Sequence, residues 1–267
     1  MSILTADHLT LLYGEVSIVD NFSIALPRGQ ITALVGPNGS GKSTILRALA
    51  RLLQPTEGAV YLNGRNIAQM PTRTVAHQLT LLPQAPEIPA GITVRELIEY
   101  GRYPHRGLLG RLSTSDREAI EWALGMTGLE SLAERSLDTL SGGERQRAWI
   151  ALAIAQQTQV LLLDEPTTFL DIRHQLEVLA LVRRLNQERE ITVGWVLHDL
   201  NQAATYSDHL VMLKAGQVVT AGPPSQVMTP ETIQAVFGIE VVIVNHPRYG
   251  LPVCLPCNLD DFSVKVN

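Results

Sequence analysis

Aromatic residues make up only 5% of the 267-residue chain, which has just two cysteines. Its 45% hydrophobic content is therefore mainly aliphatic, which suffices for one or two compact units and excludes disordered and fibrous classes. Long apolar runs are missing too. Stretches such as Val160 to Leu163 and Val241 to Val244 reach four residues, against about twenty needed to cross a bilayer. No Lys or Arg precedes Arg28, and Asp7 and Glu15 lie in that stretch, so the basic start of a secretory signal is missing. These absences predict a cytosolic chain without a membrane span. A formal net charge of −5 and no basic run exclude the electrostatic footprint of a duplex-binding protein, and no nucleic-acid partner is expected. Cys254 and Cys257 form one C-x-x-C without the second pair that a zinc site needs, and read as ordinary thiols.

What is present is clear punctuation by Gly, Pro and hydrophobic period. Strand signals occupy 4–13, 16–26, 31–35 and 58–62, the first two antiparallel. The run 31–35 enters a Gly-rich turn, and 43–53 follows with helical spacing at Ile45, Leu46, Leu49 and Leu52 or Leu53. Strand signals vanish between 86 and 155, where helices are expected at 94–100, 115–126 and 142–155. This defines a helical insertion at about 86–158. Strands return at 160–163 and 191–197 around an amphipathic helix at 172–187, which implies a right-handed parallel crossover. A hairpin at 210–214 and 217–220 and short helices near 224–228 and 230–237 follow, leaving 241–267 as a tail with no clear reading.

Gly36-Pro37-Asn38-Gly39-Ser40-Gly41-Lys42-Ser43 fits G-x-x-x-x-G-K-[ST] between an expected strand and an expected helix. Backbone N–H groups can all turn toward a phosphate chain only where residues lack a Cβ and a helix start lies behind them, and Gly36, Gly39 and Gly41 provide that freedom. Lys42 is placed to reach the β and γ phosphates, and the Ser43 hydroxyl to ligate magnesium. The strand 160–163 ends in Asp164-Glu165, two carboxylates at the carboxyl edge of a sheet. Asp164 is expected to hold the magnesium ion, and Glu165 to polarise the attacking water.

Leu140-Ser141-Gly142-Gly143-Glu144 opens an expected helix, with Ser141 as cap and Glu144 completing a capping box. Two glycines there cost about 1 kcal/mol each relative to Ala, so something must approach the backbone. An anion fits the unpaired N–H groups. Since the chain already has one phosphate site, this second cradle is expected to serve a nucleotide held by another copy.

These three motifs, in this order and spacing, resemble the ATP-binding subunit of ABC transporters over roughly 4–237. The resemblance implies an α/β fold over 1–240: a P-loop NTPase core with an antiparallel β subdomain and an inserted α-helical subdomain. It also implies ATP and Mg2+ as cofactors and a head-to-tail homodimer. Each ATP then lies between Gly36 to Thr44 of one copy and Ser141, Gly142 and Gly143 of the other. By the same resemblance Tyr13 stacks on adenine, Gln84 links magnesium and water to the insertion, and His198 contacts the γ phosphate. Asp171 lies in the loop that crosses the dimer, although Thr168-Phe169 replaces the small residues usual before Leu170-Asp171. A narrower likeness, in Gly101-Arg102-Tyr103-Pro104-His105, Pro166 to Asp171 and Leu197 to Asn201, is to ATPases of iron-chelate importers. It implies a ferric siderophore as cargo, haem or cobalamin being the alternatives. It also implies separate permease subunits, a substrate-binding protein and a place on the cytoplasmic face of the inner membrane. A soluble ABC-type ATPase of translation, repair or iron-sulfur assembly is the rival class, whereas a GTPase lacks its N-K-x-D motif here.

Overall fold

The computed structural model describes residues 1–84, 91–106 and 110–257. The chain opens with two long antiparallel strands, β1 (Ser2–Tyr13) and β2 (Val16–Pro27). Their apolar residues face one core, and register shifts at Ala6/Leu9 and Leu9/Leu11 let the ribbon bend. A short buried strand, β3 (Ile31–Val35), then runs through the loop 36–41 into α1 (Lys42–Leu49). This helix is shorter than the expected 43–53, because Arg51 turns left-handed (φ 62°) and Leu52 is exposed. Next come β4 (Glu57–Leu62) and β5 (Arg65–Asn66), which complete a four-stranded sheet ordered β2-β1-β4-β5.

After α2 (Thr72–Ala76), β6 (Leu79–Leu82) leads toward the helical region: α3 (Val94–Tyr100), α4 (Thr114–Thr127) and α5 (Gly142–Ala155). The insertion edge at 86 lies outside the described residues. β7 (Val160–Asp164), α6 (Ile172–Arg189) and β8 (Thr192–Val196) form the expected crossover, with β7 and β8 adjacent and parallel. The chain continues through α7 (Leu200–Tyr206) and the hairpin of β9 (His209–Lys214) and β10 (Gln217–Gly222). It proceeds through α8 (Pro224–Val227) and α9 (Pro230–Phe237) to β11 (Val241–Asn245) and β12 (Pro252–Pro256). The tail at 241–257, which composition does not assign, is thus a hairpin.

The second sheet runs β10-β9-β3-β8-β7-β6, with only β10 antiparallel. β3, β7 and β8 are buried along their whole length, because cores lie on both faces of the sheet. One core lies against β1, β2 and α1, and the other against α3 to α7.

Arg102 and Asp116 are both buried within the helices. The guanidinium Nε donates to Asp116 Oδ1 at 2.8 Å and Nη1 to Ala155 O at 2.6 Å, tying the ends of α3, α4 and α5 together. Burial pushes the Asp116 carboxyl up, but the hydrogen bonds from Ser113 and Arg102 outweigh it and bring it down to about 2. Among the described residues, no helix is long and apolar enough to cross a membrane.

Candidate functional site

Four neighbouring parallel strands end on one edge, in the order β3, β8, β7, β6, and each delivers part of the site just beyond its carboxyl end. β3 delivers the glycine-rich loop. Gly41 caps α1 in a left-handed conformation (φ 92°), a backbone shape that a Cβ would strain. No side chain caps this helix and its first turn holds no acid, so the leading N–H groups are left open to an anion. Ser40 is 2% exposed, and its Oγ is buried without a protein partner. Unpaired backbone donors beside a buried hydroxyl fit a polyphosphate.

Lys42 is 5% exposed and donates to the carbonyls of Gly36 and Pro37, both at 2.9 Å. Burial lowers its pKa below the usual lysine range, against the pull of Glu165 and Asp164. Ser43 Oγ donates to Asp164 Oδ1 at 2.8 Å. Burial holds that carboxyl above its ordinary value, the Ser43 bond opposing it. A hydroxyl and a carboxylate sharing one edge are the hard oxygen donors that suit a small divalent cation.

Glu165, one residue on, adopts a left-handed backbone (φ 52°), a conformation rare for a residue with a Cβ and concentrated at functional sites. Its Oε1 lies 2.7 Å from His198 Nε2, and its Oε2 accepts from Gln84 Nε2 at 2.5 Å and Thr168 Oγ1 at 3.1 Å. β8 supplies His198 and β6 supplies Gln84, so Lys42, Ser43, Gln84, Asp164, Glu165 and His198 converge. Thr168 joins them although the sequence marked it only as a departure. Its spacing of three from Glu165 was the available signal. Pro37, Asn38, Gly39 and Thr44 lie in the loop and first turn, with Asn38 and Gly39 exposed. Tyr13 ends β1, is 46% exposed, and its hydroxyl accepts from Arg47 Nη1 at 3.3 Å across α1.

Ser141, Gly142 and Gly143 are not part of this cluster: no hydrogen bond joins them to 36–44 among the described residues. The capping box is formed, with Ser141 N donating to Glu144 Oε2 at 2.8 Å and Glu144 N to Ser141 Oγ at 3.3 Å. Ser141 N and Ser141 Oγ both donate to the Glu144 carboxylate and hold it below its usual range. Gly142 is exposed, but Gly143 is buried, and a Cβ there would stand 2.3 Å from His174 Cδ2. The neighbour that crowds residue 143 is therefore a side chain of this chain, whereas at Gly142 the nearest atom to an added Cβ is Leu170 Cδ2 at 3.9 Å. Asp171 caps α6 by accepting from His174 N at 2.9 Å. His174, read from sequence as surface or packing, thus sits between two motif segments.

A glycine-rich loop on a parallel sheet, a carboxylate pair and a histidine on one edge, and a separate capped glycine motif on an appended helical region define an ATP-hydrolysing cassette of the P-loop class. The chain belongs to the ABC transporter family, whose model matches residues 19–168. It is 50% identical to the iron(3+)-hydroxamate import ATP-binding protein FhuC of Bacillus subtilis (strain 168) over 259 residues, 97% of this chain and 96% of that one. Identity to the ferric enterobactin transport ATP-binding protein FepC of Escherichia coli (strain K12) is 46%, covering 95% of this chain and 93% of FepC. Among solved structures, a metal-chelate type ABC transporter in an inward-facing conformation matches with TM-score 0.83 and 27% identity, covering 96% of this chain and 98% of that chain. A dimeric bacterial ABC transporter cassette matches with TM-score 0.74 and 29% identity, over 82% of this chain and 98% of that one.

Proposed function

We propose that this chain is the ATP-hydrolysing subunit of an importer for a ferric siderophore or closely related iron chelate. Two copies act together, each ATP being shared between the loop 36–44 of one copy and Ser141 to Gly143 of the other. They work on the cytoplasmic face of the cell membrane, against separate permease subunits served by a substrate-binding protein, with the helical region after Gln84 as the docking side. Relatives named for iron(3+)-hydroxamate and ferric enterobactin transport, aligned over nearly the whole chain, support the cargo class.

The observation that carries the chemistry is the Glu165 carboxylate, bracketed by His198, Gln84 and Thr168 beside the Ser43–Asp164 pair. Glu165 accepts the proton of the attacking water, and Gln84 and His198 hold that carboxylate in place. Lys42 leaves its two carbonyl partners for the β and γ phosphates, and the first-turn N–H groups of α1 hold the same oxygens. Ser43 and Asp164 would ligate Mg2+, which neutralises charge on the phosphates when bound. Asn38, Gly39 and Thr44 line the phosphates, and Tyr13 offers its exposed ring to the adenine. ATP binds the paired state better than the separate state, because only pairing adds Ser141 to Gly143 of the partner subunit. Hydrolysis removes that preference and reopens the pair.

Growth of a strain lacking its own hydroxamate-importer ATPase, on a ferric hydroxamate as sole iron source, tests this. The native chain, supplied with its permease, restores growth and the Glu165→Gln form does not. Restoration by the Glu165→Gln form would overturn the reading.

A further inference from the structure

Gly142 and Gly143 face different things, and the difference points to a residue outside the motifs. The His174 ring uses one edge to meet Asp171, its Nδ1 lying 2.9 Å from the Asp171 carboxylate. A carboxylate in that position accepts, so Nδ1 is the donor. The opposite edge meets Gly143, where an added Cβ would stand 2.3 Å from Cδ2 and 2.6 Å from Cγ. The ring thus packs on the bare Cα at the start of α5 while its nitrogen holds the loop that descends from Glu165.

Further contacts extend this seam. Arg147, one turn along α5, donates to Glu177 Oε2 at 3.0 Å on α6. Gln175 Nε2 donates to Leu170 O at 3.0 Å, fastening the loop before Asp171 to the same helix. The start of α5 and the Asp171 loop are therefore anchored at one point on α6, in fixed relation to each other.

We infer that His174 is a positioning residue: it presents Ser141 to Gly143 and Asp171 as one prealigned surface to a second copy of this chain. The inference rests on the two-copy reading above. Prealignment lowers the ordering cost of pairing, so its loss acts on pairing and leaves the loop 36–44 untouched.

Two single variants separate the two edges of the ring. His174→Phe keeps a ring on Gly143 and loses the donor to Asp171. His174→Asn keeps a short donor and loses the ring. Each is made in the full chain carrying Glu165→Gln, and pairing is followed by sedimentation against ATP concentration. ADP binding is measured in parallel, and KM and kcat are measured with Glu165 intact. For each variant, the ATP concentration giving half pairing is expected to rise about tenfold. ADP affinity is expected to stay within about twofold, with KM raised and kcat at saturation largely kept.

Half pairing within about twofold of the parent for both variants would overturn the inference. So would an equal loss of ADP affinity, which marks a general role in folding. If the Glu165→Gln parent itself stays single at saturating ATP, the two-copy reading fails and takes this inference with it.

Discussion

The surroundings of Glu165 and the start of α5 are two regions built in opposite ways. At Glu165 the carboxylate oxygens have neighbours from two other segments of the same chain, at Gln84 and His198, besides Thr168 in its own loop, and Asp164 beside it is 7% exposed. At Ser141 all the side-chain bonds are local, made within four residues, and Gly142 opens to solvent. Burial lets the first region fix charges and pKa values in advance. The second offers a shape and a helix start with little around it, so its contribution depends on what is brought against it. One region is equipped for chemistry, the other for assembly.

Replacing Glu165 by Gln is the largest blow to this division. Removing a general base is expected to cut ATP turnover about 10²- to 10⁴-fold, with ADP affinity unchanged. Steady-state turnover and ADP titration check this, and near-native turnover would move the base elsewhere. Arg102→Met tests whether the helical region carries its own stability. It leaves Asp116 buried without its partner, at a cost of about 3–5 kcal/mol. Denaturant unfolding reads that loss, and a change under about 1 kcal/mol would show the region to be held mainly from outside.

The same pair sets an acid limit. The Asp116 pKa is depressed from 3.8 to about 2 in the fold, so its stabilisation is present above about pH 4 and disappears as pH falls toward 2. The expected loss is about 2 kcal/mol, smaller in Arg102→Met, which keeps the Ser113 hydrogen bonds to Asp116, and unfolding measured across that range checks it. Ser141→Ala has the smallest expected effect. It removes a cap worth about 1 kcal/mol and weakens ATP-driven pairing, while ADP affinity stays at the parent value. A fall in ADP affinity would erase the distinction between the two regions.

Legibility in the sequence followed the same line. The loop 36–43, the Asp164-Glu165 pair and the LSGGE segment depend on local residue types at fixed spacing, and each lies where the motifs placed it. β3 and β7 announce themselves as short, largely apolar runs because both their faces are buried. β6 went unread: Leu79-Thr80-Leu81-Leu82 is a short edge strand, defined by its pairing with β7 more than by its composition. α7 is seven residues, too short to show a helical period, and it relies on the Asp199 side chain accepting from Asn201 N and Gln202 N. The β11–β12 hairpin escaped notice because its strands are joined through 246–251 instead of a two-residue turn. His174 carries no motif at all. Its partners, Asp171 in its own helix cap and Gly143 thirty-one positions earlier, meet only once α5 and α6 pack together.

Asn201 grips the main chain of Cys254 with both of its amide groups, at 2.7 and 3.2 Å. The carboxyl-terminal hairpin is thereby strapped to α7, whose cap residue Asp199 directly follows His198. Asn201→Ala would release this strap, and its expected effect on ATP turnover runs through α7 to the footing of His198.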